Sequence, residues 1–130
     1  ELSIGAPKKY QPNKTMLAWI KKQKGNIKIF ENPKKAIKNA DVVFADKFIG
    51  LNEKMNKKKK LNDFKRFQVN SKLMNLAKKN VIFLHCLPAN RGDEVTSEII
   101  DGKKSFVWQQ ASNRAHLQKS ILLYCLNKLR

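Results

Sequence analysis

The sequence predicts an α/β domain in which helices cover both faces of a parallel sheet. Short runs of β-branched and aromatic residues alternate along the chain with stretches whose apolar residues recur at helical spacing. At 130 residues, of which 42% are hydrophobic, the chain has room for one core and no second domain. No apolar run approaches the roughly 20 residues that a membrane span requires, so no membrane partner is expected.

The first half of the chain contains three predicted strands and two predicted helices. The strands are expected at residues 2–4, 27–30 and 41–45. Asn13 is the expected N-cap of a helix that Gly25 ends. Asn32 is expected to cap a second, shorter helix that has Pro33 at its first position.

The second half begins with a polar, lysine-rich stretch at residues 46–66, whose densest block, residues 57–60, is assigned to a loop. A connection of this length in a compact domain is usually functional or mobile. The elements predicted beyond it are a helix at 71–79 capped by Asn70, a buried strand at 81–85, a short apolar run at 106–108 and a final helix at 113–129.

The chain carries a formal net charge of +18, from 28 Lys and Arg against 10 Asp and Glu. Such an excess raises a nucleic-acid-binding hypothesis. The lysines are scattered, however, and aromatic residues do not interleave with them on a strand face, as stacking on bases requires. We therefore interpret the charge as mainly solvated surface. A basic nucleic-acid-binding module ranks last among the functions considered, and no specific nucleic-acid partner is expected.

Cysteine usage favours a reducing compartment. Cys86 and Cys125 are the two cysteines, and one such pair in a chain of this size is not a disulfide framework. Together with His85 and His116 they form no recognisable zinc spacing. The sequence therefore predicts a cytoplasmic protein without a metal site. Because the chain begins at Glu1, we expect it to be a trimmed or excised part of a longer protein.

Two segments follow predicted strands and are therefore candidates for a binding site, since ligands of parallel α/β sheets lie beyond the carboxyl ends of the strands. They are residues 46–52, after DVVFA, and residues 86–91, after VIFLH. Cys86 would expose a thiol at this edge, although a small buried core residue is an equally good interpretation from the residue alone. Arg114 is expected at a helix start, where it and free N–H groups can hold an anion, but from the residue alone a structural salt bridge is the better interpretation.

Two longer stretches, HCLPANRGDEVTSEIIDGKKS and QQASNRAHLQKS, closely resemble the HCLP segment and the later E-N-R segment of ornithine carbamoyltransferases. LSIGAPKKYQP, NADVVFAD and FQVNSKLMNLAKK resemble other parts of the second domain of that family. The resemblance covers essentially all 130 residues in order. It implies that residues 1–130 are the C-terminal ornithine-binding domain, with a Rossmann-like parallel sheet. The N-terminal carbamoyl-phosphate-binding domain is expected to be absent.

The resemblance implies a reaction in which the side-chain amine of ornithine attacks carbamoyl phosphate to give citrulline and phosphate. Cys86 and Leu87 would contact the carbamoyl group, Arg114 would polarise its carbonyl, and Asp46 would pair with the amine of ornithine. Cys86 and Arg114 are thus the implied catalytic residues. The implied substrate-binding residues are Asp46, Gly50, Leu51, His85, Cys86, Leu87 and Arg114. No cofactor is implied, and full-length members assemble as homotrimers or multiples of trimers.

The sequence departs from the family pattern in several places. Gly50, Leu51 and Asn52 stand where the family has Ser-Met-Gly, and Ser112 replaces the glutamate of E-N-R. The Ser-x-Arg-Thr-Arg segment that holds carbamoyl phosphate is missing, as is the Gly-Asp-Gly-Asn-Asn end of the central strand that opens the second domain. Without that strand, two strand edges lack a partner. We therefore expect the chain to fold well only within a longer chain or with a partner segment.

These departures leave two further functions open. The altered Ser-Met-Gly loop admits a carbamoyltransferase for another amine, such as putrescine. The altered loop and the missing first half also admit a truncated remnant that keeps the sequence of the fold without its activity.

Overall fold

The computed structural model describes residues 1–50 and 56–126, so Leu51 and Asn52 lie outside the described residues. Ten helices and strands make up the described part, apart from two short 3₁₀ turns at Lys8–Tyr10 and Lys65–Phe67. They are β1 (Leu2–Gly5), α1 (Lys14–Lys22), β2 (Ile27–Phe30), α2 (Pro33–Ile37), β3 (Val42–Ala45), α3 (Lys57–Phe64), α4 (Ser71–Met74), β4 (Ile82–His85), α5 (Ser97–Ile100) and α6 (Val107–Cys125).

All four described strands pair in parallel, which confirms the predicted α/β class. β1 pairs with β2, with Leu2 opposite Ile27, and β3 pairs with β4, with Val42 opposite Ile82. The two pairs are separate two-stranded sheets, because within the described residues β1 and β3 do not hydrogen-bond to one another. Each of these two strands thus has a ladder on one side only. This arrangement leaves the unpaired strand edges that are expected when a central strand is missing.

The core is concentrated around β4 and the elements that follow it. Phe83 lies in the middle of β4 and is fully buried. The other apolar side chains that are most deeply buried are Val81, Val95, Ile100 and Val107. Fully burying an aromatic or branched side chain contributes about 1.5–3 kcal/mol, so this cluster gives β4 the firmest support in the domain.

Other apolar surfaces have no cover within the described residues. In β3, Val43 and Ala45 face the core, but Phe44 on the opposite face is 54% exposed. The apolar stripe of α6 is also open, with Leu117 and Leu122 both 63% exposed. The expectation that helices cover both sheet faces is therefore wrong for the outer face of β3. Within the described ranges, no helix is long and apolar enough to cross a membrane.

The predicted N-caps are confirmed. The side-chain oxygens of Asn13, Asn32 and Asn70 each accept a hydrogen bond from a backbone N–H of the following helix, at 2.8, 3.0 and 3.0 Å. Gly25, however, does not end α1 as expected. Lys24 adopts the left-handed conformation there, with φ of 55°, and the N–H of Gly25 bonds to the carbonyl of Ile20.

The assignment of the four consecutive lysines to a loop is wrong, because residues 57–60 form the first turn of α3. Asn56 caps this helix by accepting from the N–H of Lys59 at 3.2 Å. Phe64, in the last turn, stacks on Phe48 with the ring centroids 4.7 Å apart, and it also contacts Tyr10 and Phe67. The cap and this aromatic cluster outweigh the mutual repulsion of the lysines.

Two helix boundaries also differ from expectation. α4 ends at Met74 instead of continuing to residue 79, because the N–H of Lys78 bonds to the carbonyl of Ala40 and turns the chain into β4. α6 begins at Val107, so the apolar run at 106–108 is its start and not a separate element. Since Val107 is fully buried, this first turn is fixed by the core.

The uneven core predicts uneven protection against hydrogen exchange. Amides of the β1–β2 ladder should exchange much faster than those of the β3–β4 ladder, because Leu2 is exposed while Phe83 is fully buried. Native-state exchange followed residue by residue by NMR measures this difference directly. Equal protection of the two ladders would contradict this account and would show that the two sheets unfold as one unit.

Candidate functional site

The parallel register of β3 and β4 brings two chain segments together. Ala45 pairs with His85, and both strands run in the same direction. Asp46 and Cys86 therefore emerge side by side at the carboxyl edge of the sheet, as the sequence predicted for these two segments.

Asp46 and Cys86 are in direct contact. The thiol of Cys86 donates a hydrogen bond to Oδ1 of Asp46 at 3.0 Å, and the N–H of Lys47 donates to the same oxygen at 2.7 Å. The pKa of the Asp46 carboxyl lies below its ordinary value, chiefly because of the hydrogen bond from the thiol. Partial burial acts in the opposite direction, and the hydrogen bond from Lys47 lowers the pKa further. Asp46 is therefore a carboxylate at neutral pH and presents a negative charge at the sheet edge.

Cys86 is exposed, so its interpretation as a buried core residue is wrong. Partial burial raises the pKa of the Cys86 thiol, and the hydrogen bond to Asp46 and the charge of that carboxylate raise it further. The side chain is therefore a protonated thiol at neutral pH. A thiolate is what makes a cysteine nucleophilic, and this site suppresses it.

His85 faces inward and does not reach the sheet edge. Its side chain is fully buried, and its Nδ1 accepts a hydrogen bond from the N–H of Leu87 at 2.9 Å. Leu87 follows in the left-handed conformation, with φ of 53°, and precedes a cis peptide bond to Pro88. The direct substrate contact that the resemblance implies for the His85 side chain does not fit this burial; the ring supports the turn at residues 86–88.

Glu94 is a site residue that the sequence analysis missed. It is fully buried, its Oε1 accepts from the N–H of Asn90 at 2.5 Å, and the same oxygen lies 3.4 Å from Nε2 of His85. The signal available in the sequence was its place within the HCLPANRGDEV segment. Burial was not expected from the residue type, because a glutamate is rarely buried without a partner. The segment that follows His85 thus folds back, and Glu94 at its end lies against the His85 ring.

Arg114 lies well inside α6 and not at its start, so the expected pairing with free N–H groups of a helix N-terminus is wrong. No carboxylate forms an ion pair with it among the described residues, and its side chain is exposed. Gln110 precedes it by one helical turn on the same face. Oε1 of Gln110 accepts a hydrogen bond from the N–H of His85 at 3.2 Å, which ties this part of α6 to the end of β4. A contribution of Arg114 to the Asp46–Cys86 site stays a prediction.

The loop that follows Asp46 is held at its beginning. Phe48 stacks on Phe64 of α3, which ties the residues after β3 to the aromatic cluster. Gly50 is exposed, and Leu51 lies outside the described residues, so the expected contact from that position stays a prediction. Of the predicted site residues, the structure thus brings Asp46, Cys86 and Leu87 together at one edge.

Comparison with known proteins agrees with this geometry. Residues 1–125 match the family model for the Asp/Orn binding domain of aspartate/ornithine carbamoyltransferases. The chain is 42% identical over 134 residues to an ornithine carbamoyltransferase of Caldicellulosiruptor saccharolyticus, covering 99% of this chain and 44% of that protein. It is 44% identical over 126 residues to one of Rhodopseudomonas palustris, covering 97% of this chain and 40% of that protein.

Solved structures give the same result. The anabolic ornithine carbamoyltransferase of Campylobacter jejuni superposes with a TM-score of 0.87 at 32% identity, over 98% of this chain and 44% of that one. The enzyme of Pyrococcus furiosus superposes with a TM-score of 0.80 at 36% identity, over 92% and 39%. The chain spans less than half of the length of these relatives. It belongs to the aspartate/ornithine carbamoyltransferase family, and the match is to the Asp/Orn binding domain of that family.

Proposed function

We propose that this chain supplies the ornithine-binding part of an ornithine carbamoyltransferase, which transfers the carbamoyl group of carbamoyl phosphate to the side-chain amine of ornithine. The observation that carries the proposal is the ionised Asp46 carboxylate, hydrogen-bonded to the Cys86 thiol at the carboxyl edge of the sheet. A cationic amino group of the substrate pairs with such a carboxylate, and both relatives described above are ornithine carbamoyltransferases.

In the proposed reaction a neutral amine attacks the carbonyl carbon, a C–N bond forms, and the C–O bond to phosphate breaks. The amine passes one proton to the departing phosphate, and citrulline remains. Arg114 stabilises the negative charge that develops on the carbonyl oxygen. Cys86 stays a thiol and orients the reactants beside Leu87, so the step proceeds by positioning and needs no covalent intermediate.

Carbamoyl phosphate requires further protein. The Ser-x-Arg-Thr-Arg segment that holds it in the family does not occur in residues 1–130, so we assign this chain to the C-terminal domain alone. A first domain, in the same protein or in a partner, then supplies the phosphate site. We further propose that the complete enzyme is a homotrimer or a multiple of trimers in the cytoplasm, where both free cysteines stay reduced.

A carbamoyltransferase for another amine is the second candidate. Gly50 stands where the family has the serine of Ser-Met-Gly, and it removes a hydroxyl that hydrogen-bonds ornithine. Putrescine has no carboxylate or α-amino group and so depends less on that hydroxyl. An inactive remnant is the remaining alternative, and the experiment below separates all three.

The first experiment measures citrulline formation by this chain with and without the carbamoyl-phosphate-binding half of a related ornithine carbamoyltransferase. Activity is expected only in the mixture and only with ornithine. Asp46→Asn should raise the KM for ornithine because it removes the charge that pairs with the amine, and Asp93→Asn is the control that makes the same change in charge nearby. Faster turnover of putrescine would favour the second candidate. No activity in a mixture shown to be folded and associated would overturn the proposal.

Arg114 should be required for turnover. In the same mixture, Arg114→Gln is expected to lower kcat by about 10²–10³, as removal of an oxyanion-stabilising donor does, with a smaller effect on the KM for ornithine. Lys119→Gln, which removes an exposed cation from the same helix, should leave kcat unchanged. Equal kcat for both variants would remove Arg114 from the proposed mechanism.

Cys86 should resist alkylation at neutral pH because its raised thiol pKa leaves little thiolate. Asp46→Asn removes the negative charge and leaves a neutral amide oxygen as a weaker acceptor, so the pKa of Cys86 falls and alkylation by iodoacetamide speeds up. Peptide mass spectrometry follows Cys86 and Cys125 in the same sample, and Cys125 should react at one rate in both proteins. Rapid labelling of Cys86 in the unsubstituted chain, with no acceleration in the variant, would contradict the thiol assignment.

A further inference from the structure

His85 and Glu94 are the two polar side chains that are deeply buried within residues 1–50 and 56–126, and the proposed reaction uses neither directly. Burying an ionisable group without a partner is costly, so each of these two side chains is expected to interact with the other. Nε2 of His85 and Oε2 of Glu94 have no hydrogen-bond partner that meets strict geometry in the described part of the chain. The nearest opposite group to Nε2 is Oε1 of Glu94, at 3.4 Å.

The bond at Nδ1 fixes the proton of the imidazole. Because the N–H of Leu87 donates to Nδ1 at 2.9 Å, that nitrogen must present its lone pair and carries no proton. The hydrogen of the imidazole is then on Nε2, the nitrogen that lies 3.4 Å from Oε1 of Glu94. Oε1 of Glu94 is itself located by the N–H of Asn90.

We infer that Glu94 is a positioning residue: it holds His85 as the Nε2–H tautomer, which leaves Nδ1 free to accept from the Leu87 amide and so fixes the turn that carries Cys86. Leu87 needs such support, because its φ of 53° lies in the left-handed region that residues with a side chain disfavour. Cys86 is bracketed by His85 and Leu87, so the geometry of this turn sets the contact between the thiol and Asp46.

This role differs from that of a general base. The His85 ring is fully buried, and its Nδ1 is occupied by a backbone amide, so the ring does not take a proton from Cys86 or from a ligand at the sheet edge. The contacts stand independently of any activity, and only the expected effect on the KM for ornithine rests on the function proposed above.

The tautomer is measured by long-range ¹H–¹⁵N NMR of the labelled 130-residue chain, mixed with an unlabelled carbamoyl-phosphate-binding half of a related enzyme. The expected spectrum shows His85 with its proton on Nε2 only. A proton on Nδ1, or an imidazolium with both nitrogens protonated, would overturn the inference whatever the activity of the mixture.

Glu94→Gln tests the role of the carboxylate. The amide NH₂ of glutamine can donate to Nε2, which favours the Nδ1–H tautomer and breaks the bond to Leu87. Exchange of the Leu87 amide should then become about fivefold faster, as the loss of one ordinary hydrogen bond implies. Asp93→Asn, one residue away, makes the same change in charge and should leave the Leu87 amide and the tautomer unchanged. The inference fails if the two variants behave alike.

His85→Asn separates positioning from a general loss of stability. Asparagine places an acceptor near the position of Nδ1 but cannot reach Glu94, so the Leu87 amide should stay protected. In this background Glu94→Gln should have no further effect on Leu87 exchange or on the KM for ornithine. An equal acceleration with and without His85 would show that Glu94 acts on overall stability, and the inference would be wrong.

Discussion

The pairing of β3 with β4 is the constraint on which the site depends. β4 is held in place by the most deeply buried side chains of the domain. Its parallel pairing with β3, in which Ala45 lies opposite His85, fixes the position of β3 in turn. The first residue beyond each strand then carries the chemistry, since Asp46 and Cys86 bond to one another at 3.0 Å. A shift of one residue in this register would turn one of the two side chains away from the edge.

The sequence predicted the elements whose signals are local. The asparagine caps and the apolar strand runs were readable because a cap or a strand is specified by a few adjacent residues. α3 was missed, because its lysines obscure the helix and its support comes from contacts between Phe64 and the distant residues Tyr10 and Phe48. The start of α6 was misplaced for a similar reason, since burial of Val107 against distant residues decides it.

The candidate site was predictable to a similar extent. The rule that ligands lie beyond strand ends located Asp46 and Cys86, and the resemblance assigned their roles. Neither indicated that the thiol bonds to the carboxylate, because that contact depends on strand register. Glu94 was missed altogether, since its burial becomes evident once the segment after Pro88 folds back against His85. The alternation of strands and helices predicted coverage of both sheet faces. It does not indicate which face stays uncovered within the described residues, as the outer face of β3 does.

The bond between Cys86 and Asp46 also bears on how the domain tolerates oxidants. Peroxide attacks the thiolate form of cysteine, and the first product is a sulfenic acid. Because the Asp46 carboxylate accepts a hydrogen bond from the thiol, little of Cys86 is present as the thiolate. Cys86 is therefore exposed to solvent but reacts slowly with oxidants. When a cationic amine occupies Asp46, the carboxylate is shared between two donors and its hold on the thiol weakens. In the proposed enzyme, oxidative damage at Cys86 would therefore depend on how fully the amine site is occupied.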